Sequence, residues 1–258
     1  MIMMRNVRKN YWVLAVLILF AFFSSFQQKK IFNQSQLSAV KLTFVNNVKA
    51  SKIVCNDSTY INSFGEKYII TKLRYYVTNV SLQNGHSSIK EKNSYHLIDE
   101  SEKESQVINF STPAGDYTSV QFLLGVDSLH NVSGAQTGDL DPAKDMFWTW
   151  NSGYVMAKME GNSPSSKLVN NKFEFHIGGF SGPYNVLKQV QLNFPEKTLL
   201  VAGKTYEIII GADINAWWEH PHDIKISEHA NITSPGKFAR EISDNYVNMF
   251  HIEKIASE

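Results

Sequence analysis

The chain has 258 residues and a formal charge of +1, from 25 lysines and arginines against 24 aspartates and glutamates. That balance, with no Lys/Arg cluster, leaves no electrostatic footprint for nucleic acid and excludes it as a partner. Hydrophobic residues make up 43% and aromatics 12%, enough for a sizeable core, and the single cysteine, Cys55, leaves the chain without an intramolecular disulfide.

Arg5, Arg8 and Lys9 precede an uncharged apolar run from Tyr11 to Phe26. A basic n-region followed by an h-region is an export signal, and about 16 residues fall short of the roughly 20 that a straight spanning helix needs. Residues 1–26 are therefore read as a cleaved signal peptide, with an uncleaved N-terminal anchor as the alternative. Either way the expected location is the periplasm or cell envelope. Those residues carry three of the 25 basic groups and no acidic one, so 22 remain against 24, or −2. Residues 27–38 are polar and read as a linker, and a single domain is expected over 39–258.

From Val40 the pattern has period two, the mark of a strand with one buried face. Val40, Leu42 and Phe44 alternate with Lys41 and Thr43, and Ile69, Thr71, Leu73, Tyr75 and Val77 are expected to line one face of a longer strand. Asn84-Gly85 is the residue pair that a tight type I′ hairpin favours. Further alternation runs through Val120-Phe122-Leu124-Val126, Phe173-Phe175-Ile177, Val190-Leu192-Phe194 and Tyr206-Ile208-Ile210. The last segment differs: Ser234-Pro235 resembles an N-cap with proline at the first helical position, and Phe238, Ala239, Ile242, Tyr246, Met249 and Phe250 recur at helical spacing. The fold class this predicts is all-β, an antiparallel β-sandwich with a C-terminal amphipathic helix from Pro235 to about Phe250.

Three groups of residues are candidates for a site. Phe147-Trp148-Thr149-Trp150 and Tyr154 concentrate aromatics, and at strand spacing Trp148 and Trp150 share a face; packing between strands explains them as simply. His176, between Phe175 and Ile177, points away from those apolar neighbours and is either a satisfied polar residue or a ligand at a strand end. In Trp217-Trp218-Glu219-His220-Pro221-His222 the proline biases His220 toward an extended conformation, which would put both imidazoles on one side as a chelating pair. The competing reading is an exposed loop whose tryptophans pack inward. Asp139, Asp141 and Asp145 lack EF-hand spacing and read as a solvated turn. No Gly-x-Ser-x-Gly, phosphate-binding Gly-rich loop, His-Glu-x-x-His or Cys-x-x-Cys occurs, so no enzyme is expected and a binding role gains.

Leu73-Arg74-Tyr75-Tyr76-Val77-Thr78-Asn79-Val80, Leu124-Gly125-Val126-Asp127-Ser128, the Met146 to Gly161 stretch and Phe175 to Gly179 together resemble the MbnP-like copper-binding family, over roughly residues 39–252. Asp244-Asn245-Tyr246 to Met249-Phe250 fits the branch found in Bacteroidetes. The resemblance implies an exported β-sandwich that binds one copper through histidines and a tryptophan oxidised to kynurenine. It also implies partners, a di-haem cytochrome c peroxidase-like enzyme of the MbnH or MauG type and an outer-membrane transporter. Position by position, His176 matches the family's histidine before Gly-Gly or Gly-Ser, and Trp148 and Trp150 match its Phe-Trp-x-Trp. The methanobactin-associated branch has Asn-His shortly after Gly-Val where this chain reads His130-Asn131-Val132, so the matching position is Val132. His130, two residues earlier, or His222 or His220 is then expected to complete the set. The alternative function is a non-metal interaction module of the envelope in which these tryptophans and histidines are structural.

Overall fold

The computed structural model describes residues 36–85, 87–134, 136–149 and 152–257. The expected signal peptide and most of the expected linker, with His86 and Trp150, lie outside the described residues. Strands β1 (Leu37–Val48), β2 (Ser51–Lys52), β3 (Thr59–Ile61), β4 (Lys67–Asn84), β5 (Ser87–Lys90), β6 (Tyr95–Asp99), β7 (Val107–Pro113) and β8 (Gly115–Leu124) lead to a short helix α1 (Ser128–Val132). Then follow β9 (Phe147–Thr149), β10 (Gly153–Asn162), β11 (Lys172–Gly178), β12 (Lys188–Leu200), β13 (Thr205–Asp213), β14 (Asn231–Ile232), helix α2 (Lys237–Tyr246) and β15 (Phe250–Ser257).

The strands form two sheets. One has the order β15-β13-β1-β2, with β7 also on β1; the other has the order β12-β8-β4-β10-β11-β14, with β3, β5 and β6 on β4 and β9 on β10. Their inner faces meet through edge-on aromatics: Phe44 of β1 lies 5.8 Å from Phe122 of β8, and Phe250 of β15 lies 5.8 Å from Tyr75 of β4 and 5.1 Å from Phe122. Such pairs add to the area they bury because ring edges carry partial positive charge and faces negative. The sandwich is as the alternation predicts, but the sheets are mixed, since β1 runs parallel to β13 and β11 parallel to β14. A period of two reports which face is buried and is blind to the direction of the neighbouring strand.

Two segments depart from the sequence pattern for identifiable reasons. From Lys67 to Tyr75 of β4 the buried residues are Tyr68 and Ile70, then Leu73 and Tyr75, so Ile69 and Thr71 do not share the face of Leu73. Glu160 pairs with Lys72 and Gly161 with Ile70, which leaves Thr71 as an extra residue, a bulge that inverts the phase. At the C-terminus, α2 starts at Lys237 behind a Gly236 cap and ends at Tyr246; Phe250 opens β15 against β13. The register there slips between Ile209 and Ile210, so Glu253 interrupts the alternation that would have marked a strand.

Glu66 ties the β3–β4 turn to a distant loop. Its buried carboxylate accepts from Asn62 Nδ2 at 2.8 Å, Ile226 N at 2.8 Å and Ser227 N at 2.9 Å. Burial alone would raise its pKa, but the hydrogen bonds from Ser227 and Asn62 outweigh that and hold it below the usual 4.5. A depressed carboxyl pKa stabilises the fold above the unfolded-state value, and the contribution disappears as pH falls through the folded value. Glu66→Gln, which turns an amide toward two backbone N–H donors, should lower stability at pH 7 by about 1–3 kcal/mol. Urea unfolding should show the gap from wild type closing well below pH 4.5; equal stabilities at pH 7 would contradict this account.

Candidate metal centre

His176 lies on β11 on the face opposite Phe173, Phe175 and Ile177, which are fully buried. Sheet register puts it directly across from Lys158 of β10, with Glu160 diagonally next, and its Nε2 is 2.8 Å from Glu160 Oε1. Glu160 belongs to a charged ladder. Lys72 Nζ is 3.6 Å from its Oε2 and 3.2 Å from Asp145 Oδ2, and Lys158 Nζ is 2.9 Å from the same Asp145 oxygen. The hydrogen bond from His176 first, then the charges of Lys72 and Lys158, keep the Glu160 carboxyl below its usual pKa against the opposing effect of burial.

Trp148 reaches the same face two residues further along β11. A Cβ added to Gly178 would lie 2.5 Å from Trp148 Cζ3 and 2.8 Å from Cη2, so the six-membered ring rests on the bare Cα and only glycine admits it. His176 and Gly178, two apart on a strand, project to one side. His176 and the Trp148 ring therefore lie on the same face near the end of β11.

His130 comes from α1, which is clamped to this end. Asn131, fully buried, donates to Val126 O at 2.6 Å and Asp127 O at 3.0 Å and accepts from Tyr154 N at 2.9 Å; Ser128 Oγ donates to Phe180 O at 3.0 Å. The helix thus touches both the start of β10 and the chain leaving β11. Asp127 caps α1 by accepting from His130 N, and its Oδ1 lies 3.0 Å from His130 Nδ1. Tyr95 closes the group, its hydroxyl 2.5 Å from Asp127 Oδ2 and 2.7 Å from Nδ1. Burial would raise the Asp127 pKa, yet hydrogen bonds from Tyr95, His130 and Asn79 bring it to about 2. An ionised carboxylate only accepts, so the Tyr95 hydroxyl and His130 Nδ1–H both donate to Asp127, and in a neutral imidazole Nε2 would keep the lone pair.

His222 is held elsewhere. Its backbone exchanges hydrogen bonds with the Asn245 side chain, and its Nε2 lies 3.4 Å from Asp244 Oδ2, both on α2. His220 precedes a cis proline with φ of 59°, not extended as expected, and its ring is 90% exposed beside Glu219. Different carboxylates hold the two imidazoles. Trp217 and Trp218 are fully buried, and Trp218 Nε1 donates to Tyr68 OH at 3.2 Å. Asp139 and Asp145 face lysines, and Asp141 caps Ala143 N, as a solvated turn would have it. Among the described residues no group of three His, Cys, Asp or Glu side chains is arranged to hold a metal ion.

The sequence pattern missed Glu160, Asp127, Tyr95 and Asn131. Asp127 was open to reading as an N-cap three residues before His130, whereas Glu160 meets His176 only through the β10–β11 register.

The sequence profile of the MbnP family matches residues 37–235, well over half of the chain. MbnP from Methylosinus trichosporium has a similar structure, with a TM-score of 0.54 and 11% identity over 86% of this chain and 99% of that one, a likeness of fold. No curated protein matches. By its sequence over these residues, this chain belongs to the MbnP family.

Proposed function

We propose that the chain is an exported copper-binding protein without catalysis of its own, serving copper acquisition, delivery or storage at the cell envelope. What supports this reading is that His176 and the Trp148 ring share one face of β11, with His130 on a helix pinned to the same end. Imidazole nitrogen suits copper, and conversion of a tryptophan to kynurenine adds an aryl amine that the indole, its lone pair committed to the ring, cannot offer. Trp148 is held through its six-membered ring, the part that oxidative opening of the five-membered ring leaves intact. Trp148 or Trp150 is thus the proposed modified residue, a di-haem enzyme of the MbnH or MauG type the proposed oxidant, and an outer-membrane transporter a proposed further partner. The n- and h-regions of residues 1–26 support export.

A second reading, a non-metal interaction module, is favoured by Leu129 and Val132, which are 71% and 65% exposed on α1. Elemental analysis and peptide mass separate the two. Copper near one equivalent with a gain of about 4 Da on the peptide carrying Trp148 and Trp150 supports copper carriage. Copper-free protein with unmodified tryptophans, purified from cells supplied with copper, would sink it.

A further inference from the structure

We propose that Glu160 is the positioning residue of this centre: it holds the proton of His176 on Nε2 and so leaves the Nδ1 lone pair for copper. The inference rests on the copper reading above and adds the atom through which His176 acts. Glu160 Oε1 lies 2.8 Å from His176 Nε2, and Lys72 Nζ lies 3.6 Å from the other oxygen of the same carboxyl. An ionised carboxylate has no proton to give, so Nε2 must be the donor. A neutral imidazole carries one N–H, and the lone pair therefore sits on Nδ1.

The sheet makes this arrangement rigid. Glu160 faces Glu174 directly and reaches His176 on the diagonal, so both backbones are fixed by ladder hydrogen bonds on either side of the contact. Metal-binding histidines commonly donate their second ring N–H to a carboxylate, which sets the ring's rotation and raises the basicity of the ligating nitrogen. The contact alone does not identify a site. His96 Nε2 lies 2.9 and 3.0 Å from the two oxygens of Glu91. What separates His176 is Trp148, packed against Gly178 on the same face.

The test uses the purified full-length protein. In the copper-free form, nitrogen-15 NMR at about pH 8.5, where imidazole is neutral, should show His176 with a proton on Nε2 and none on Nδ1. Glu160→Gln, whose amide donates as well as accepts, should mix the two tautomers. Copper ions titrated against a competing chelator should bind Glu160→Ala and Glu160→Gln about 10–100-fold more weakly than wild type. Glu91→Gln, which alters the carboxylate beside His96 and leaves the one beside His176 in place, should bind copper like wild type if Glu160 acts through His176. A proton found on Nδ1 of His176 in wild type, or equal copper affinity in wild type and Glu160→Ala, overturns the role of Glu160 and leaves the copper reading standing. A wild-type protein that takes up no copper overturns that reading, and the role of Glu160 with it.

Discussion

His176→Ala should lower copper affinity by more than about 100-fold, beyond the 10–100-fold that follows loss of an outer-shell partner. A ligand contributes a bond to the metal, where a positioning residue contributes only orientation and basicity. The substitution should leave the fold intact, because the imidazole sits on the polar face and makes its hydrogen bond to Glu160 outside the core. The comparison variants are His251→Ala, whose exposed ring lies 3.8 Å from Glu253, and His86→Ala; both should retain copper. Competition titration of protein with the tryptophan modification verified by mass reads the result. Undiminished affinity in His176→Ala, with circular dichroism unchanged, would remove His176 from the centre whatever the family assignment.

Gly161→Ala should cost about 3 kcal/mol or more, at or above the upper end of the usual penalty for overpacking a core. An added Cβ would lie 2.0 Å from the Ile69 carbonyl oxygen and 2.6 Å from the Phe173 ring. The first contact is with backbone on the neighbouring strand, so relief requires β4 and β10 to separate at the bulge, where Thr71 has no register partner on β10. Urea unfolding should show a lower midpoint with near-constant slope, and a loss under about 0.5 kcal/mol would mean that the strands do not approach so closely. Loss of soluble protein on Gly161→Ala, with Gly161→Ser behaving alike and an exposed control such as Gly236→Ala remaining soluble, would carry the same message; Gly236 has open space around its Cα.

How far the sequence revealed this molecule depends on which interactions are local. The buried face of β1 is legible because Val40, Leu42 and Phe44 alternate without interruption, and that of β11 because Phe173, Phe175 and Ile177 do. The phase change in β4 is hidden because a bulge is a property of two strands together, and Thr71 by itself is an ordinary strand residue. β15 is hidden for a like reason at Glu253, and Phe250 fell into the helical pattern of α2 by its four-residue spacing from Tyr246. His176 and Trp148 stood out by residue type and alternation, but their sharing of one face depends on Gly178, which looks like a turn residue until the indole is seen lying on it. Glu160 carries no local sign of its contact at all.

The parallel pairing of β1 with β13 also governs the order in which the fold can be completed. Ala39 is opposite Thr205 and Asn47 opposite Asp213, and β13 is in turn flanked by β15 at the far end of the chain. β7 can dock on β1 earlier, but the centre of this sheet must wait until residues 205–213 of β13 are available to pair. Closing so long a loop before any contact repays its entropy makes for slow folding and a lasting unpaired edge on β1. Until β13 and β15 are in place, that edge is open to pairing with other chains.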